Sequence, residues 1–176
     1  MNMTIDGFCD HDVMTADDEL HQHYTDLLSD AGVLLYGRTT YRLMEYWRDV
    51  LKNPTGNQPM DDFAVIIDRI PKIVFSRTLK SVDWQSAILA SKELKEEVLD
   101  LRQQEGKDIL VGSPSLIAAL TELGLIDEHQ LCIHPVIAGS GLPLFKNISE
   151  KIILKLLKTK RFGSGATVFY YEREGQ

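Results

Sequence analysis

Cysteine is scarce in this chain: Cys9 and Cys132 are the two among 176 residues. With no charged-then-apolar leader at the start, a disulfide framework is not expected. Basic runs are missing as well. Asp and Glu number 26 against 19 Lys and Arg, for a net charge of -7. A phosphate backbone needs clustered cations, so nucleic acid is not an expected partner. A small phosphorylated ligand stays open, because it needs only a few local donors. No apolar run approaches membrane-spanning length, so no membrane partner is expected and a cytoplasmic location is the default. There is no internal repeat and no low-complexity tract. A Gly-x-Gly-x-x-Gly fingerprint, a Walker lysine loop and a Gly-x-Ser-x-Gly elbow are all missing, which removes three familiar site types. Cys9, Asp10, His11 and Asp12, with His21 and His23, have a metal-like look. His21 and His23 stand two apart on a predicted helix and point in different directions, so no metal is expected.

What is present is a 44% hydrophobic composition, enough for a real core, and one domain is expected over residues 1–176. Met1 to Ile5 reads as the end of a strand, closed by the turn Asp6-Gly7. Leu20, Tyr24, Leu27 and Leu28 share one face of a helix capped by Asp17 or Asp18. The run Val33 to Tyr36 is a buried-type strand, followed by a helix from about Thr39 to Val50 and another over Met60 to Arg69. Lys72 to Ser76 and Trp84 to Ala90 read as strands, Lys92 to Gln104 as an amphipathic helix. Asp108 to Val111 is a buried-type strand and Gly112-Ser113-Pro114 opens a helix. Gln130 to Ala138 reads as a long strand, and Ile152 to Arg161 with Thr167 to Glu172 as an antiparallel pair. The order βαβα(α)ββαβαβββ predicts a three-layer α/β/α fold, its central sheet mostly parallel with an antiparallel C-terminal hairpin.

Ligands of open α/β sheets bind beyond the carboxyl ends of strands. Three such ends carry suitable groups: Gly37-Arg38-Thr39-Thr40, Ser76-Arg77-Thr78, and Val111-Gly112-Ser113-Pro114-Ser115. Arg38 and Arg77 have the planar fork that pairs with phosphate oxygens. Thr40 and Thr78 can donate to the same oxygens. Gly112 would let backbone approach a pyrophosphate and Ser113 would add a hydroxyl. Taken singly, a Gly-Ser before a helix is an ordinary cap and a surface arginine is ordinarily solvated; the three ends argue together.

The segments "MTIDGF" (3–8), "LLYGRTTY" (34–41), "KIVFSRTL" (72–79), "ILVGSPSLIAAL" (109–120), "GLIDEHQLCIHPVIAGSGLPLF" (124–145) and "KTKRFGSGATVFYYE" (158–172) resemble, in order, the dihydrofolate reductase fold. The closer resemblance is to the reductase domain of riboflavin biosynthesis, the RibD C-terminal family. It implies NADPH, with Gly37, Arg38, Thr39 and Thr40 on the adenosine-phosphate side. Ser76, Arg77 and Thr78 would meet the 2′-phosphate. Val111, Gly112, Ser113, Ser115 and Leu116 would hold the pyrophosphate and nearby ribose. Thr4 and Ile5 would belong to a wall beside nicotinamide and substrate. Only Met1, Asn2 and Met3 precede Thr4, so the first strand is expected to be shorter than the family's. Pterin enzymes place a carboxylate on the first long helix; the ungapped count puts His21 there, with Asp18 and Glu19 nearby, so dihydrofolate or another pterin is only an alternative substrate. The His-x-Glu and Cys-x-x-Cys zinc site of the fused deaminase is missing too, which implies a stand-alone reductase.

The expected reaction is hydride transfer to a small heterocyclic or ribosylaminopyrimidine-like substrate, of the 5-amino-6-(5-phosphoribosylamino)uracil reductase type. Asp6 is the candidate catalytic group, as a carboxylate beside the substrate, against a turn aspartate that bonds backbone. Trp47 and His134 are candidate substrate contacts, each against a reading as core packing. Gly139 and Gly141 would let backbone lie against the substrate, or else mark a bulge. A homodimer is expected by resemblance. The competing readings are a non-catalytic nucleotide-binding module and a dimeric structural remnant.

Overall fold

A computed structural model describes residues 1–10, 17–146 and 148–175. The chain is mixed α/β, in the order β1 (Asn2–Thr4), α1 (Asp18–Ser29), β2 (Ala31–Gly37), α2 (Arg38–Met44), α3 (Tyr46–Lys52), α4 (Gln58–Arg69), β3 (Lys72–Phe75), β4 (Ala87–Leu89), α5 (Leu94–Arg102), β5 (Asp108–Val111), α6 (Pro114–Glu122), β6 (His129–His134), β7 (Leu154–Arg161) and β8 (Thr167–Arg173). It divides into two compact units, Asp18–Leu116 and Met1–Asp17 with Ile117–Gln176.

In Asp18–Leu116 the strands lie in the order β4-β3-β2-β5, every pairing parallel. The run AGVLLYG of β2 holds the centre, and Val33, Leu34, Leu35 and Tyr36 are all buried. A strand covered on both faces reads as a continuous apolar run rather than an alternation. Its core joins Leu28 of α1, Tyr41 of α2 and Ile67 of α4 to Leu34, Tyr36, Val74 and Trp84. Lys72, at the start of β3, is only 1% exposed. Its ammonium donates to the carbonyls of Ile67 and Ile70 and to Ser86 Oγ, under the Trp84 ring at 4.1 Å from the centroid. A buried ammonium is tolerable only when paired in this way, and here it satisfies carbonyls at the α4 C-terminus that have no helical partner.

The other unit carries the order β1-β6-β8-β7. β1 and β6 run parallel, with Thr4 opposite His134, while β6–β8 and β7–β8 are antiparallel. Thr4, Cys132, Val168 and Tyr170 are buried in it.

Several boundaries differ from the sequence reading. The helix expected over 39–50 is two, α2 and α3, meeting at Glu45. Glu45 keeps helical dihedrals, so the break is a single turn residue where Arg48 N–H bonds the Glu45 carbonyl at 3.0 Å. The strand expected to reach Ala138 ends at His134. Pro135 has no N–H to give a ladder, and Val136 N–H turns back onto the His134 carbonyl at 2.8 Å. The strand expected from Trp84 shrinks to Ala87–Leu89, because a turn bonds Ala87 N–H to the Trp84 carbonyl at 2.8 Å. Helix α4 starts two residues early, where Asn57 caps it by accepting from Met60 N–H at 3.1 Å. Of the loop expected over Asp10 to Asp17, residues 11–16 lie outside the described residues, His11 and Asp12 among them.

Candidate functional site

The parallel order of Asp18–Leu116 sets the carboxyl ends of β3, β2 and β5 side by side. Those ends are the three segments singled out in the sequence. Two hydrogen bonds tie them together. Gly37 N–H donates to Ser113 Oγ at 2.8 Å, joining the ends of β2 and β5. Arg38 Nη1 donates to Thr78 Oγ1 at 2.7 Å, joining the ends of β2 and β3 across 40 residues of sequence. Ser76 Oγ accepts from Thr78 N–H at 3.2 Å and Leu79 N–H at 3.0 Å, which curls this segment toward Arg38. Arg38, Thr39, Arg77, Thr78, Gly112 and Ser115 are exposed; Gly37, Thr40, Ser76 and Val111 are half-buried. A guanidinium has five N–H donors, and the Thr78 bond engages one of its nitrogens.

Three of the expected residues also have packing or bonding roles here. Gly112 was expected to admit a pyrophosphate. A Cβ on it would lie 2.9 Å from Cε1 and 3.4 Å from Cδ1 of Tyr36, so the aromatic ring already requires a glycine. Ser113 is buried and its oxygen receives the Gly37 N–H. Leu116 is buried and packs rather than lines a surface.

In the other unit Asp6, two residues after β1, holds a loop. Asp6 Oδ1 accepts from Thr4 Oγ1 at 2.6 Å and Ala138 N–H at 3.1 Å, and Oδ2 from Gly139 N–H at 2.7 Å. The Thr4 hydroxyl, followed by these backbone donors, holds the carboxyl down at about 2, and such donors favour the charged form. Asp6 is therefore a fixed anion and a poor proton donor. As a charged acceptor it can still take a hydrogen bond from a substrate amine. Thr4 is buried, and its oxygen also accepts Phe8 N–H at 3.0 Å, so it braces the turn. Asp10 repeats the device, its Oδ2 accepting Leu142 N–H at 2.6 Å. Gly141 has φ +150°, and a Cβ there would run into the Asp10 carboxylate. Gly139, at φ +76°, is the second residue of the loop that suits glycine. Ile5 stands exposed beside this loop, its N–H bonded to the Val136 carbonyl at 2.9 Å.

Two substrate candidates remain, His134 opposite Thr4 on β6 and Trp47 on α3. His134 is buried, its Nε2 at 3.1 Å from Asn2 Oδ1 and 3.7 Å from Cys132 Sγ. Burial lowers its pKa, and the ring packs within the sheet. Trp47 packs on Phe63, ring centroids 4.5 Å apart, with His21 edge-on at 6.2 Å, so core packing describes it. Sequence reasoning missed Asp10 as a loop anchor and Ile137 and Leu142 as exposed aliphatics. The spacing Asp6-x-x-x-Asp10 ahead of a second Gly-rich loop was the available signal. Among the described residues, no group of three or more His, Cys, Asp or Glu could hold a metal, and no helix is long and apolar enough to cross a membrane.

The family model described as the RibD C-terminal domain matches residues 1–168, the whole of this geometry included. The chain belongs to the RibD C-terminal domain family. The uncharacterized protein YyaP of Bacillus subtilis is 37% identical over 153 residues, covering 86% of this chain and 79% of its own length. Among solved structures, a protein provisionally assigned to riboflavin biosynthesis from Shewanella sp. PV-4 superposes with a TM-score of 0.74 at 18% identity, over 99% of this chain and 96% of that one. The diaminohydroxyphosphoribosylaminopyrimidine deaminase/5-amino-6-(5-phosphoribosylamino)uracil reductase of Thermotoga maritima matches with a TM-score of 0.63 at 17% identity. That match covers 98% of this chain and 54% of the Thermotoga protein, so this chain spans about half of it. At these identities the structural matches speak for the fold, which is dihydrofolate reductase-like.

Proposed function

We propose that this RibD C-terminal family member is an NADPH-dependent reductase of a small heterocycle, ribosylaminopyrimidine-like as in the Thermotoga relative, with residues 1–176 acting as one reductase domain. The observation that carries the reading is the convergence of Arg38, Ser76, Arg77 and Thr78 at adjacent strand ends, with the Arg38–Thr78 bond at 2.7 Å. Two cations and two hydroxyls on one edge suit a phosphate monoester, and they fit the 2′-phosphate that separates NADPH from NADH. Thr39, Thr40, Val111 and Ser115 complete that edge in this reading. When bound, the cofactor supplies the hydride. The chain supplies orientation: Asp6 and Thr4 hold the loop at Ala138 and Gly139, and Ile5 offers an apolar surface beside it. A proton delivered to the product would come from water or another group, since Asp6 stays ionised.

The test is a tryptophan fluorescence titration with NADPH and NADH on the wild type and on Arg38→Ala and Arg77→Ala. The reading expects preference for NADPH and loss of that preference in both variants. No binding of either nucleotide overturns it. We further propose a cytoplasmic homodimer. Support comes from the β6–β8–β7 face, where Leu131 lies opposite Phe169, Phe169 stacks on Tyr171 at 6.1 Å, and Leu156 is 49% exposed. Light scattering on the wild type and on Leu156→Lys checks it, a monomeric wild type being the adverse result.

A further inference from the structure

Tyr36 precedes Gly37 at the carboxyl end of β2, and it is 4% exposed. A buried tyrosine ordinarily finds a partner for its hydroxyl. Its neighbours in the same core do find one for their polar tips. Tyr41 Oη donates to Asp83 Oδ1 at 3.2 Å, and Trp84 Nε1 to Asp68 Oδ1 at 2.7 Å. Tyr36 Oη makes no hydrogen bond among the described residues. Nor is it one of the partnerless side-chain atoms sealed from solvent, so the small exposure of this residue reaches its oxygen. An unpaired hydroxyl in a core costs stability, and a group of this kind in a native structure calls for an explanation.

The ring packs in the core with Leu34, Tyr41 and Val74. One of its edges runs along Gly112, where a Cβ would lie 3.4 Å from Cδ1, 2.9 Å from Cε1 and 4.0 Å from Cζ. Gly112 N–H bonds the Leu35 carbonyl at 3.3 Å, so Tyr36 and Gly112 are neighbours on adjacent strand ends, and Gly112 is exposed. With glycine at 112, no side chain from that position covers this edge of the ring. A second glycine borders the same strand ends. A Cβ on Gly37 would find Ser115 Oγ at 3.6 Å and Ser113 Oγ at 3.7 Å. We propose that Tyr36 Oη is a ligand contact, donating a hydrogen bond to an oxygen of the nucleotide that lies across Gly112. The proposal rests on the reductase reading for the nucleotide, and it adds to that site a residue whose ring belongs to the core and whose tip serves the ligand. Burial pushes the phenol up, so the hydroxyl keeps its proton and can donate.

The experiment uses the full chain, with NADP⁺ and NADPH as probes. Calorimetric titration is run on the wild type, Tyr36→Phe and Arg77→Ala, and thermal unfolding of each is recorded without nucleotide. Tyr36→Phe keeps the ring against Gly112 and removes the hydroxyl alone. It is expected to weaken both nucleotides by about tenfold. Its Tm should equal or exceed that of the wild type, since no hydrogen bond within the fold is lost. Unchanged affinities in Tyr36→Phe overturn the proposal. So does a lowered Tm, which would give the hydroxyl a partner inside the protein. Arg77→Ala tests the reductase reading separately. A wild type that binds neither nucleotide sinks that reading and this contact with it. Binding that Arg77→Ala weakens and Tyr36→Phe does not sinks the contact alone. The reverse pattern keeps the contact and moves the phosphate anchor away from Arg77.

Discussion

Alanine at Gly112 separates two reasons for a glycine at the end of β5. One is room for a cofactor. The other is room for Tyr36, whose ring Cε1 would stand 2.9 Å from the new methyl group and Cδ1 3.4 Å. Carbon atoms in good contact sit about 3.5 to 4.0 Å apart, so the ring must retreat by about half an ångström or more. Tyr36 is 4% exposed and packed in the core with Leu34, Tyr41 and Val74, and has little space to yield. Overpacking of this kind costs about 1 to 3 kcal/mol. In a chain of this length that corresponds to a fall in Tm of about 2 to 12 °C. Thermal unfolding of Gly112→Ala, Tyr36→Leu and the double variant measures it. The penalty of the alanine should shrink by about 0.5 kcal/mol or more once the ring is gone, while Tyr36→Phe, which keeps the ring, should leave it in place. A penalty equal in both backgrounds would refute the argument. Full thermal stability with lost NADPH affinity would return the glycine to the cofactor.

Lys72→Met should cost about 2 to 4 kcal/mol, because two carbonyls and the Ser86 hydroxyl lose their ammonium partner; a urea midpoint unmoved at constant m would contradict it. The Asp6 carboxyl titrates at about 2 against an ordinary 3.8. Its contribution is therefore fully present above about pH 4 and is lost as pH falls through about 2. The stability difference between wild type and Asp6→Asn should narrow over that window, and a constant gap would refute the assignment. Gly141→Ala combines strained backbone with a clash against Asp10, and about 1 to 3 kcal/mol should be lost. Asp10→Ala should recover part of that loss in the double variant, as read by chemical denaturation.

The apolar runs of β2, β3 and β5 and the segments between them made the fold class legible from sequence. Continuous Val-Leu-Leu-Tyr and Ile-Val-Phe stretches suit strands covered on both faces, and the order of elements restricts their connections. The same logic placed Arg38, Ser76, Arg77, Thr78, Gly112 and Ser113 at strand ends. Periodicity did not reveal that Pro135 stops β6 or that Glu45 divides a helix, since both turn on which carbonyl a single N–H reaches.

What the sequence determined by itself is therefore local: which residues are strands, which ends carry cations and hydroxyls, and that Asp6 closes a turn. What only the tertiary structure decided is who spends which donor. A side chain on Gly112 would meet Tyr36, Ser113 is bonded to Gly37, and Asp6 is bonded to Thr4, Ala138 and Gly139. Those pairings join residues distant in the chain, and a hydrogen-bonding group or a contact surface has a role only once its partner is known.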